Sequence, residues 1–173
     1  MKKNTKKLTL SALLSALALI TFMIENLFPP LFFPGARMGL SNVFILLCVV
    51  LLGNKYGFAV LIVKVTLGSL YSGNISALMY SLPSGLIALI IQVLLIKYTS
   101  RLSIIAISVT GSVANAVCQN AVFCFVMKSF AYLSYSPYLA LNGVISGAIV
   151  GATVFFLTKK LRKIKFLQDI YFT

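Results

Sequence analysis

The chain has 173 residues, 60% of them apolar, with a mean hydropathy of +1.03 and a net charge of +13. A soluble domain is about half apolar, so this composition excludes one and leaves room for about six membrane crossings of roughly 20 residues each. With no His and only Glu25 and Asp169 as acids, paired-carboxylate chemistry within the membrane is excluded. A metal would need Cys48, Cys118 and Cys124, which lack CxxC spacing and fall in apolar runs; they read as small buried hydrophobes. No catalytic residue, cofactor or metal is predicted.

The first predicted span covers 8–28, behind the cluster Lys2, Lys3, Lys6 and Lys7. It resembles a signal peptide but lacks a small-x-small cleavage site and is long enough to cross, so a retained helix is expected. Ala12 and Ala16, beside Ser11 and Ser15, make a flat small-residue face. Such a face suits close packing inside the bundle or docking of another membrane subunit. Pro29 and Pro30 end the span.

A second span is expected over 38–52. Arg37 stands before it, in the run Pro34-Gly35-Ala36-Arg37-Met38-Gly39-Leu40-Ser41-Asn42. A cation is unfavourable at a helix N-terminus, so something anionic should compensate. That is either Glu25 or a ligand phosphate or carboxylate.

The third span covers 58–71 and carries Lys64 about halfway along. An ammonium there is costly. It either snorkels to the cytoplasmic face or faces a polar cavity, with Gly68 and Tyr71 on its stripe. The fourth span, 77–96, contains Pro83 as an expected kink.

The fifth span, 104–127, is the most polar. Ser108, Ser112, Asn115 and Gln119 recur at i, i+4, i+7 and i+11, forming one stripe. Amides cannot face lipid unpaired. The stripe therefore serves interhelical hydrogen bonds or a cavity. Residues 128–136 form an outer loop. The sixth span, 137–158, places Gly143, Gly147 and Gly151 four apart, a close-packing pattern, and a basic tail follows.

Six spans put 12 of the 15 Lys and Arg residues on one side. Cytoplasmic loops carry such an excess, so both termini are expected in the cytoplasm. The charge meets lipid headgroups, and the bilayer rather than nucleic acid is the expected partner. The predicted fold is all-α: a single six-helix membrane domain over 1–173, multi-pass in a bacterial cytoplasmic membrane.

The Arg37 run resembles a family signature. So do Lys64-Val65-Thr66-Leu67-Gly68-Ser69-Leu70, Tyr80-Ser81-Leu82-Pro83-Ser84-Gly85-Leu86 and the stretch from Gly111 to Gln119. Together they resemble the heptaprenyl diphosphate synthase component I family, also called Gx transporters, which is similar to the substrate-binding S components of energy-coupling factor transporters. Two positions depart from that family, which usually has Arg at 64 and often His at 115. The resemblance implies an S-component-like fold with an outward pocket gated by residues 29–36. It also implies docking through Ala12 and Ala16 onto a coupling membrane subunit.

The chain carries no Walker A sequence, so partner ATPases would supply the energy. The expected role is a non-enzymatic substrate-binding subunit for uptake of a vitamin, flavin or quinone or isoprenoid precursor. The alternative is a non-catalytic membrane component of heptaprenyl diphosphate synthesis. Arg37, Asn42, Lys64, Asn115 and Gln119 are the expected ligand contacts, with Arg37 at the mouth. The two cations favour an anionic or polar-headed molecule.

Overall fold

The computed structural model describes residues 3–27, 39–73, 75–99 and 102–161. The described residues form six α-helices: α1 (Lys3–Leu27), α2 (Asn42–Leu52), α3 (Asn54–Tyr71), α4 (Ile75–Tyr98), α5 (Ile104–Val126) and α6 (Ser136–Leu161). A 3-10 segment, Phe130–Tyr135, lies between the last two.

Four stretches, in α1, α4, α5 and the 3-10 segment with α6, are long and apolar enough to cross a bilayer. The second expected span differs. Gly39 takes a left-handed φ of +66° and residues 40–41 turn, so α2 starts only at Asn42 and has 11 residues. At 1.5 Å per residue it reaches about half the ~30 Å hydrocarbon thickness. It is instead the buried centre of the bundle. Val43, Ile45, Leu46, Leu47, Cys48, Val49, Leu51 and Leu52 are all buried, as expected of a helix that is apolar all round.

Around α2 pack Leu14 and Ala18 of α1, Val60, Leu61 and Val65 of α3, Leu89 of α4, and Val150 and Val154 of α6. α5 and α6 form the tightest pair. Gly143, Gly147 and Gly151 let α6 lie on the α5 backbone. A Cβ on Gly147 would stand 2.7 Å from the Val109 Cα, and one on Gly151 2.7 Å from the Ile105 Cα. The expected close-packing role of these glycines is what the structure shows.

Local sequence sets the helix ends and irregularities. Ser103 caps α5, its hydroxyl accepting from the Ala106 N–H at 3.2 Å. α4 runs on through Pro83. Next to it the Ser84 hydroxyl donates to the carbonyls of Tyr80 (2.8 Å) and Ser81 (3.2 Å) within the same helix.

Candidate functional site

One half of the bundle is solid and the other is hollow. The core residues of α2 and their partners fill the half that carries Lys55, Lys97, Lys159 and Lys160. Toward the opposite end, the C-terminal parts of α1, α3 and α5 and the N-terminal parts of α2, α4 and α6 surround a cavity of about 590 Å³. That volume is in the range of small-molecule sites.

The N-terminus of α2 forms one wall. Its capping position, Ser41, provides no side-chain cap. Glu25 at the end of α1 takes over that role. Its carboxylate accepts from the Leu40 N–H and from the Ser41 hydroxyl at 3.1 Å. An anion is favourable at this end of a helix. Glu25, the only acid among the described residues, is thus committed to the fold. Arg37 and the run 29–36, expected as its partner or as the mouth and gate, lie outside the described residues.

Lys64 is buried, and its direction corrects one expectation. The ammonium donates to Asn42 Oδ1 at 2.8 Å and lies 5.5 Å from the centre of the Phe22 ring. It points toward the N-terminus of α2, not toward the Lys-rich end, so it does not snorkel there. Gly68 shares its stripe and faces Phe22, whereas Tyr71 is 69% exposed and takes no part.

The polar stripe of α5 divides. Ser112, Asn115 and Gln119 line the cavity. Ser108 does not: it is fully buried against Gly151, and its hydroxyl has no hydrogen-bond partner. The cavity therefore brings together Asn42, Lys64, Asn115 and Gln119 from three helices, with Asn142 of α6 opposite. Among the described residues no hydrogen bond occupies the side-chain amides of Asn115, Gln119 or Asn142. They face the cavity from within a bundle of membrane helices, where an unsatisfied amide is costly.

Several lining residues carried no sequence signal as site residues. Residues 128–136 are not a plain loop. Lys128 takes a left-handed φ of +51°, and the 3-10 segment folds back so that Tyr132 and Tyr135 line the cavity. Phe123 meets Tyr132 edge-on at 5.3 Å and Tyr80 edge-on at 5.8 Å, giving one wall an aromatic face. Asn120 holds the segment down. Its side-chain N–H₂ donates to the Tyr132 carbonyl (3.0 Å) and the Ser136 hydroxyl (2.8 Å).

Ala12 and Ala16 sit elsewhere. Both are exposed on α1, among exposed Leu8, Leu13, Leu17 and Ile20. They do not pack inside the bundle, which corrects one of the two readings of that face. Cys48 and Cys124 are buried and Cys118 is half-buried, all as free thiols.

All the cavity-lining residues fall within a match to one family. The profile of heptaprenyl diphosphate synthase component I covers residues 14–157, from within the first helix into the last turns of the sixth. The chain belongs to this family. Ala16 lies inside the matched region and Ala12 just before it. No curated protein and no solved structure matches the chain. The family's name designates a component of a synthase, and four span-length helices place this component in a membrane.

Proposed function

We propose that the chain is the substrate-binding subunit of a small-molecule uptake system, comparable to the S components of energy-coupling factor transporters. The observation that carries this reading is the cavity. It is sized for a vitamin-like molecule and lined by amides that find no hydrogen-bond partner among the described residues. A chain with so few acids has no carboxylate pair to hold magnesium at a diphosphate, so its contribution is capture rather than catalysis. The Lys-rich ends of the helices face the cytoplasm, and the cavity opens to the outside. In this reading the chain makes six crossings, and α2 belongs to the second. Asn42, Asn115, Gln119 and Asn142 contact the cargo directly. Lys64 fixes Asn42, and Arg37, outside the described residues, is the contact expected at the mouth.

Transport needs energy from elsewhere. The exposed face around Ala12 and Ala16 is the surface on which a coupling membrane subunit would rest, with ATPases behind it. A second reading follows from the family name: a non-catalytic membrane partner of heptaprenyl diphosphate synthesis. Affinity purification from native membranes in mild detergent separates the two. The transport reading expects ATPase subunits and a second multi-pass protein in stoichiometric amount. Recovery of a soluble prenyl synthase, with no ATPase, would overturn it in favour of the second reading.

A further inference from the structure

Beneath the main cavity the structure holds a small annex of about 30 Å³. It shares Asn42, Leu61, Gly85, Ser112 and Asn115 with the cavity wall and is closed below by Gln92 of α4. Gln92 is 9% exposed, and its carboxamide makes no hydrogen bond among the described residues. The fold makes room for that carboxamide. Opposite it α5 carries Gly111, where a Cβ would stand 2.1 Å from Gln92 Nε2. The remaining walls are apolar, from Ile45, Leu61, Ala88 and Leu89.

We propose that this annex is a subsite for an uncharged group that donates and accepts hydrogen bonds at once: a carboxamide, lactam or ureido edge at the deep end of the cargo. The proposal rests on the cavity being a ligand site. The size limits the occupant. The annex is about the share of liquid volume that one water takes, so it suits one polar group of a molecule seated in the larger cavity.

Its chemistry limits the occupant further. A carboxamide offers two N–H donors and a carbonyl acceptor, and Gln92 and Asn115 present two of them. Neither charge sign is matched there. The Lys64 ammonium is bonded to Asn42 Oδ1, and the Glu25 carboxylate is bonded at the α2 N-terminus. A carboxylate or ammonium in the annex would lose its hydration among four apolar side chains without a counter-charge. The complement of a carboxamide pair is a neutral group with both a carbonyl and an N–H. This revises the anionic cargo that the two cations alone suggest.

Benzamide and benzoate test the assignment, because they differ only in an uncharged against a charged head. Binding is measured by ligand-detected NMR on the full chain in nanodiscs, with empty nanodiscs as reference. Benzamide should bind more tightly than benzoate, and Gln92→Met, which keeps the side-chain volume, should raise the benzamide Kd tenfold or more. Should Gln92→Met not fold, Gly111→Ala displaces the same carboxamide from the other helix and should give the same loss. An unchanged benzamide Kd in the folded variant, or benzoate binding more tightly than benzamide, would overturn the subsite. If Gln92→Met lowers the melting temperature but leaves benzamide binding intact, the annex holds structural water only and the proposal is wrong. A wild-type protein that carries a co-purified metabolite yet ignores benzamide would overturn the annex and leave the cavity reading standing. A protein that carries no metabolite and ignores both compounds would overturn both.

Discussion

Lys64 shows what one buried charge does in this protein. Its ammonium is held by a carbonyl oxygen of Asn42 and the face of Phe22, so it ties α3 to α2 and α1 at the edge of the cavity. Removing it leaves Asn42 Oδ1 without its charged donor. Lys64→Ala is expected to destabilise the protein by about 1.5–3 kcal/mol, the worth of a hydrogen bond to a charged group. Lys64→Arg should restore most of the loss, since it keeps charge and donors. Thermal unfolding in detergent measures both, and an unaltered melting temperature for Lys64→Ala would remove the tie from the account. That Lys64, Asn115 and Gln119 turn away from lipid was readable from residues alone, because each is too costly there, but residues alone left snorkelling or interhelical hydrogen bonds open beside a cavity. Gln92 was not readable. A single Gln in an apolar helix has no stripe around it, and its meaning comes from Gly111 on another helix.

At the scale of elements, two contacts position the cavity. The first is the glycine seam between α5 and α6. Gly147→Val would drive a branched side chain into the backbone at Val109, 2.7 Å from where its Cβ must stand. Overpacking of this kind costs about 1–3 kcal/mol. The variant should melt earlier and lose ligand capacity, because α5 and α6 present Asn115 and Asn142 to the cavity. The three glycines four apart were legible, since spacing alone puts them on one face.

The second contact is the Asn120 latch on the 3-10 segment. Nothing local in Phe130–Tyr135 dictates that it folds back; it is ordered by an amide 12 residues away in the Tyr132 bond and 16 in the Ser136 bond. Contacts so distant in sequence leave no periodicity to read, and residues 128–136 read only as an outer loop. Asn120→Ala should raise amide hydrogen exchange across residues 130–135 and leave the exchange of α2 unchanged. Equal protection in both proteins would show that the latch does not order the segment.

At the scale of the molecule, the chain is a bundle that is solid at its Lys-rich end and hollow at the other. The helical class and the helix order were legible from hydropathy and from charge placement. The length of α2 was not, because an apolar run does not reveal a turn at Gly39 to Ser41 that shortens the helix. The proposed orientation follows the charges. In a variant with Cys48, Cys118 and Cys124 replaced by Ala, a Cys at Ser134 should react with an impermeant thiol reagent on intact cells. One at Lys160 should react only after permeabilisation. The reverse pattern would invert the protein in the membrane.

The central claim is that the amide-lined cavity holds a small molecule. Native mass spectrometry of protein released from its own membranes tests it most directly. One small-molecule adduct per chain is predicted on the wild type, together with its loss from a folded Asn115→Leu, Gln119→Leu double variant. A wild-type chain of bare mass, or an adduct that survives both substitutions, would contradict the account.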